Sequence, residues 1–304
     1  MRTEADWLRP GPADPPRWGH RDGLTVGLSP LPGPRGLLRV YTPYLGHRPE
    51  RMVNYVAVEP VTRRGLRRGF SELERSRLDD EPGLTMWTGD GRVPDPGQLT
   101  VVDGGEVLTV LVRCERFASG AEVDLRVRFR ADRPYEVELA AAATATSRPL
   151  RTCVLTATMG NYARLRTLRL AEHEVHAGRL WPRHRGDRFT LRASFGLGAL
   201  PREADGTVVV AARGDEDDPA GAAYEPSVLP HWHWQGDRAE QAWVVPDPHP
   251  RLRAQVNGRV TYWASSAPIP GGVAFENLEV REPYRPWRPL VFRVTPLSGT
   301  ERSG

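Results

Sequence analysis

The 304-residue sequence contains no lysine and one isoleucine, Ile269, so all 42 of its basic residues are arginines. Schiff-base catalysis and a P-loop lysine gripping phosphates are thereby excluded. Cysteine is scarce as well. Cys114 and Cys153 each sit inside an apolar alternating run, the setting of a buried free thiol rather than of a disulfide or a metal site. No stretch approaches the roughly 18 apolar residues of a membrane span, and residues 1–20 lack the apolar core of a signal peptide. The expectation is a cytoplasmic protein with no membrane partner.

Backbone breakers are abundant: 30 Gly and 29 Pro in a chain that is 39% hydrophobic and 26% charged. That balance is globular and excludes disorder, collagen and a long coiled coil. A formal net charge of +4 against 38 acidic residues leaves room for an anionic small substrate and gives no basis for a nucleic-acid partner. The basic run Arg63-Arg64-Gly65-Leu66-Arg67-Arg68 has no interleaved aromatic residues and reads as an exposed loop. Glycine turns such as Pro32-Gly33-Pro34 lack the strand, fingerprint and helix order of a dinucleotide site, so no cofactor is expected.

From residue 21 onward the hydrophobic period is two. Val123, Leu125, Val127 and Phe129 alternate with Asp124, Arg126, Arg128 and Arg130, one buried face and one solvated face of an antiparallel strand. Similar runs recur to Val294, including Met52–Val61, Tyr135–Thr146, Arg151–Met159, Tyr162–Leu170 and Gly272–Val280. Asn257-Gly258 between two such runs predicts a hairpin turn. One short helix is predicted over Phe70–Leu78, with Ser71 as cap and Glu74 completing a capping box. Residues 1–20 read as an irregular arm pinned by Trp7 and Trp18, residues 21–298 as one all-β domain, and residues 299–304 as a flexible tail. The fold class is therefore a large antiparallel two-sheet β-sandwich with very little helix, ahead of a jelly roll or a double cupin-like barrel. Oligomeric state is left open.

Three constellations carry candidate chemistry. After a Gly160-Asn161 turn, Tyr162, Arg164 and Arg166 fall on one face of an expected strand. Guanidinium pairs bind carboxylates or sulfates, and their charge favours the phenolate of Tyr162 as a base; a solvated strand face is the alternative. His231-Trp232-His233-Trp234 places two histidines on one face and two indoles on the other. Five of the nine tryptophans, Trp232, Trp234, Trp243, Trp263 and Trp287, fall in the last quarter with Tyr262 and Tyr284. Aromatic rings beside Arg, Asn and His suit pyranose rings, which present C–H faces to stack and hydroxyls to bond. The acidic candidates are Glu59, Glu72, Glu74 and Glu276; Glu59 ends the apolar run Val53–Val58 and Glu276 interrupts another, settings where a carboxyl group can hold its proton and act as an acid, with pairing to an arginine as the competing role. The candidate catalytic set is Tyr162, His233, Arg164, Arg166 and Glu72. Substrate contacts are assigned to Asn161, His231, Trp232, Trp234, Trp263, Tyr262 and Glu276, and no metal ligand is assigned.

The His231-x-His233 pair resembles the first metal-binding element of cupins, although Glu240 stands farther on than that family's glutamate. Phe70-Ser71-Glu72-Leu73-Glu74-Arg75 resembles the Arg-Ser-Glu-Leu-Arg element of jelly-roll alginate lyases in its Ser-Glu-Leu core, and the lysine of that family's later motif has no counterpart. In size, strand density and its Trp/His/Arg-rich second half, the chain resembles the carbohydrate-active β-sandwich superfamily of galactose-mutarotase-like domains. That resemblance implies a carbohydrate ligand and an enzyme acting on an oligosaccharide, uronic-acid-containing or neutral, by β-elimination or hydrolysis. A non-catalytic carbohydrate-binding sandwich and a cupin-like metal enzyme are the alternatives.

Overall fold

Val123, Leu125, Val127 and Phe129 are buried while the polar residues between them stay half-exposed, and this alternation repeated strand after strand builds two sheets. The computed structural model describes residues 6–29, 35–78, 83–90 and 93–297. The Pro32-Gly33-Pro34 turn, the first five residues of the N-terminal arm and the 299–304 tail lie outside the described residues.

Strands are numbered in chain order. The first sheet runs β1 (Trp7–Leu8), β2 (Arg17–His20), β3 (Thr25–Gly27), β4 (Leu37–Tyr41), β5 (Met52–Thr62), β11 (Leu150–Thr158), β18 (Ala274–Arg281), β17 (Arg253–Arg259) and β14 (Ala193–Gly196). The second runs β13 (Glu174–His176), β12 (Thr167–Arg169), β15 (Val208–Arg213), β16 (Ala239–Val245), β19 (Arg288–Pro296), β10 (Glu136–Ala143), β9 (Val123–Arg130), β8 (Gly105–Cys114) and β6 (Met86–Trp87), with β7 (Gln98–Val102) also paired to β8. Every pairing between these strands is antiparallel. The sheets pack face to face as an all-β sandwich, and the one α-helix among the described residues is the four-residue Ala177–Leu180.

Large side chains lock the two layers together. Trp243 of β16 is fully buried and donates its indole N–H to the Leu278 carbonyl of β18 at 2.9 Å. Asn54 of β5 hydrogen-bonds Gln241 of β16 across the same interior. Such pairings satisfy the polar groups that an interior cannot leave unmade without cost. Cys114 is buried, Cys153 is half-buried, and both are free thiols.

The N-terminal arm is more regular than composition suggests, because it supplies β1 and β2. The two indoles do anchor it: Trp7 donates to Glu106 at 3.0 Å and Trp18 to the Asp95 carbonyl at 2.8 Å. The helix predicted over Phe70–Leu78 is a series of turns. Ser71 does not cap it, since its hydroxyl accepts from the Val58 N–H at 2.9 Å and donates to the Gly36 carbonyl. Asn257-Gly258 makes no hairpin turn either. Both residues lie inside β17, where the register slips so that Asn257 faces Asn277 and Gly258 faces Phe275. The skipped residue, Glu276, is the extra one of a β-bulge. Gly258 is needed there because a Cβ would run into the Ala274 carbonyl.

Candidate functional site

The strand expected over Tyr162–Leu170 begins only at Thr167. Residues 159–164 form tight turns, with Met159 and Arg164 at φ 86° and 50°, so Tyr162, Arg164 and Arg166 turn inward instead of lining a solvated face. All three are almost fully buried. Arg164 donates to Glu216 at 2.9 Å, to the Tyr224 hydroxyl and to the Pro219 carbonyl. Arg166 donates to Asp215 at 2.9 Å, to Glu216 at 2.8 Å and to the Pro270 carbonyl. Asp215 in turn meets His176 at 3.0 Å. These guanidinium groups therefore tie the 213–224 segment to the sandwich, which is how buried charge is tolerated.

Tyr162 receives Arg51 and donates to the His233 carbonyl at 3.3 Å. Burial pushes its hydroxyl up to about 12 against the opposing pull of Arg51, so desolvation overrides the arginine effect expected to favour a phenolate. His233 stacks on Tyr224 with ring centroids 3.9 Å apart and bonds the Val228 carbonyl at 3.1 Å. Trp232 stacks on Tyr262 at 4.7 Å, and Trp234, 3% exposed, lies edge-on to His47 at 4.6 Å. The His-x-His segment is not extended: Pro230–Trp232 is a 3-10 turn, and His231 is exposed. Asn161 is buried, and its amide has no hydrogen-bond partner among the described residues. The structure thus brings Tyr162, Arg164, Arg166, His233, Trp232, Trp234 and Tyr262 together as one cluster, largely buried, around Tyr224. Glu72, Trp263 and Glu276 lie elsewhere.

Glu72 belongs to the outward face of the nine-stranded sheet. The register aligns three rows there, polar except for Val154 and Ala57. One carries Glu59, Val154 and, one strand on, Arg281 with Arg253; the next carries Ala57, Thr156, Glu279, Gln255 and Ser194; the third carries Tyr55, Thr158, Asn277 and Asn257. At about 3.3 Å per residue, the Arg253 row and the Asn257 row stand roughly 13 Å apart. Arg68 reaches over this face and forms ion pairs with both Glu59 and Glu279. Thr156 donates to Glu279 at 3.2 Å, and Arg192 approaches the other oxygen of Glu279 at 3.5 Å. Burial drives Glu59 up to about 7 despite Arg68, and burial with the charge of Glu59 drives Glu72 up to about 8. One oxygen of Glu72 and one of Glu279 have no hydrogen-bond partner among the described residues.

The two ends of this face differ. Beyond the Asn257 row, Trp263 and Phe189 are exposed with ring centroids 5.7 Å apart, and the Arg259 guanidinium lies over both rings at 5.3 and 5.2 Å. Beyond the Arg253 row lies a groove of about 660 Å³ rich in arginine. Glu276, on its bulge, is buried and pushed up to about 7 by desolvation, with Arg259 opposing. Among the described residues, no group of three or more His, Cys, Asp or Glu side chains is arranged to hold a metal ion, and no helix is long and apolar enough to cross a membrane.

No protein-family model matches the chain, and no curated protein matches its sequence. The geometry alone ranks the two clusters. In the Tyr224 cluster both arginines are consumed by carboxylates and carbonyls, although Asn161 and the Tyr262 hydroxyl lack partners among the described residues, whereas the outward face combines raised carboxyl groups with arginines that form no ion pair among the described residues. Sequence reasoning found Glu59 and Glu72 but missed Glu279, Arg68 and Thr156. The signal was present in β18, where Asn277, Glu279 and Arg281 alternate with Leu278 and Val280.

Proposed function

We propose that the protein is a carbohydrate-active enzyme that hydrolyses an oligosaccharide on the outward face of the nine-stranded sheet, around Glu59, Glu72, Glu279 and Arg68. The observation that carries this reading is the pair of carboxyl groups, Glu59 and Glu72, whose environments hold their protons well above the usual carboxylate range. Perturbed acids of this kind, gathered around an arginine, are the groups general acid–base chemistry uses. Glycoside hydrolysis needs one carboxylic acid to protonate the leaving oxygen and a second carboxylate to activate water or attack the anomeric carbon.

Glu72 has the environment for the first role, because it carries its proton at neutral pH. The Glu279 oxygen that lacks a hydrogen bond, steadied by Arg192, is suited to the second. Arg68 positions Glu59 and Glu279 and faces the substrate with its remaining donors. The ladder of Tyr55, Thr158, Asn257 and Asn277 offers partners to sugar hydroxyls, and Trp263 with Phe189 offers ring faces for C–H stacking. Elimination is less well supported, since the tyrosine assigned as its base is buried and its hydroxyl is engaged.

A panel of oligosaccharides tests the reading. New reducing ends without absorbance near the ultraviolet edge are expected, with Glu72→Gln lowering turnover at least a hundredfold while substrate affinity stays within about threefold. A new conjugated double bond in the product would replace hydrolysis by elimination. Binding without any turnover would make the protein a carbohydrate-binding sandwich, and full turnover by both Glu59→Gln and Glu72→Gln would remove the reaction centre from this face.

A further inference from the structure

The groove of about 660 Å³ at one end of the outward face is lined by Arg63, Arg151, Arg251, Arg253 and Arg281, with Glu282 as its single acid. Glu282 does not neutralise them. Its carboxylate is held by Arg285 at 3.0 Å, by Arg288 at 3.0 Å and by the His249 N–H at 3.1 Å. Arg63 spends its Nε on the Leu150 carbonyl at 3.1 Å and Arg253 spends its Nε on the Ser194 hydroxyl at 2.8 Å, leaving their outer nitrogens to the groove. Arg151, Arg251 and Arg281 form no ion pair among the described residues. Arg281 is half-buried, and burial together with Arg68, Arg151 and Arg192 lowers its pKa. A bound anion would relieve that repulsion and receive charge-assisted, bidentate hydrogen bonds.

Charge along the strands selects the kind of anion. In the row after Arg281 and Arg253, about 7 Å away at two residues per step, stands Glu279, while Glu59 stands in the arginine row itself, on the far side of β11. A polymer with a phosphate at every link would meet repulsion there. An acidic sugar chain matches the pattern, because its anion can sit in the arginine row while a neutral ring spans the carboxylates. Thr152 and Gln255 in the floor of the groove supply neutral partners for hydroxyls. We propose that this groove is an anion subsite that takes the carboxylate or sulfate of an acidic oligosaccharide, with Arg151, Arg251, Arg253 and Arg281 as its ligands. The inference deepens the glycan-hydrolase reading and rests on it.

Calorimetric titration separates the two. The probes are an oligouronate, a sulfated oligosaccharide, a neutral oligosaccharide of equal length and a single-stranded oligonucleotide, each against wild-type protein and Glu72→Gln. Acidic sugars are expected to bind at least tenfold more tightly than the neutral one, with affinity falling as salt rises. Arg281→Gln and Arg151→Gln should each weaken acidic-sugar binding about tenfold or more, the scale of a charge-assisted hydrogen bond, and leave neutral-sugar binding unchanged. Arg128→Gln on the opposite sheet serves as the control, and melting curves verify folding. Whichever of carboxylate and sulfate binds more tightly identifies the anion. Equal binding of acidic and neutral sugars, groove variants that match wild type, or tighter binding of the oligonucleotide would each overturn the proposal. Salt-sensitive acidic-sugar binding without turnover would sink the hydrolase reading and leave the groove standing. Turnover of acidic and neutral chains alike, with acidic-sugar binding untouched by the arginine variants, would do the reverse.

Discussion

Glu59 on β5 and Glu279 on β18 share one guanidinium, that of Arg68. Both carboxylates are buried, and taking away the guanidinium that forms ion pairs with both leaves uncompensated charge, which costs about 3–5 kcal/mol. Arg68→Met should therefore destabilise the protein by about that amount. The loss should be larger at pH 8 than at pH 5, because a buried acid whose folded pKa is raised gives up stability as pH rises through that value. Urea unfolding at the two pH values checks this. Equal losses at both would mean that the carboxylates are not what Arg68 stabilises.

Gly36 shows how the fold carries Glu72. The segment after Arg68 continues the sheet beside β5, with the Gly69 N–H on the Pro60 carbonyl at 2.9 Å and the Ser71 N–H on the Val58 carbonyl at 3.3 Å. It lies so close to β4 that a Cβ on Gly36 would collide with the Ser71 carbonyl. Neither group is the end of a flexible side chain, so the backbone must move. Gly36→Ala should cost at least about 1–3 kcal/mol by overpacking and should also displace Glu72. A thermal melt and an oligosaccharide-turnover assay should fall together in this variant, whereas Gly104→Ala, with open space around its Cβ but positive φ, should affect stability alone.

The buried acid Glu276 gives a pH signature of its own. Desolvation raises it from its ordinary value to about 7, so the native state binds this proton more tightly than the unfolded chain does. Its stabilising contribution is complete below about pH 4.5 and is lost as pH rises through about 7. The full loss corresponds to a few units at about 1.4 kcal/mol each, on the order of 3 kcal/mol. The difference in unfolding free energy between wild type and Glu276→Gln should therefore change by roughly that much between pH 4.5 and 8, with the variant gaining on wild type as pH rises. A pH-independent difference would show that Glu276 keeps an ordinary pKa.

Period-two alternation made the sandwich legible, because a strand with one buried face writes that face into its sequence, as β9 and β8 do. β16 escaped notice because Ala239, Gln241, Ala242 and Trp243 are all buried and the alternation is blurred. The Phe70–Leu78 turns mimicked a helix start, since Glu74 does reach back to an N–H, that of Phe70 at 3.2 Å, without a helix following. At the site, Glu59 was readable from its apolar neighbours and Glu72 from the Ser-Glu-Leu element. Their grouping with Glu279 was not, because β5, β11 and β18 are adjacent only through a register that joins residues more than 200 positions apart. Arginines looked alike in the sequence. Only folding separates Arg164, which is consumed by Glu216 and Tyr224, from Arg281, which is left open to the groove.

Two of the tryptophans read as sugar contacts now separate cleanly. Trp234 is 3% exposed, contacts His47 and Tyr162 through its ring, and donates its indole N–H to the Asp237 carbonyl at 3.3 Å. Trp263 is 42% exposed and touches Phe189 and Arg259 at the rim of the outward face. Deleting a buried indole leaves a cavity, so Trp234→Ala should cost about 3–5 kcal/mol. Trp263→Ala should stay within about 1 kcal/mol of wild type, as surface substitutions do. The order should invert in a binding assay. Losing one stacking face should weaken oligosaccharide affinity about five- to tenfold in Trp263→Ala, while the folded fraction of Trp234→Ala binds as wild type does. Parallel melting curves and titrations with one oligosaccharide decide between the two placements. If Trp234→Ala melts like wild type yet fails to bind, the ligand sits over the Tyr224 cluster and not on the outward face.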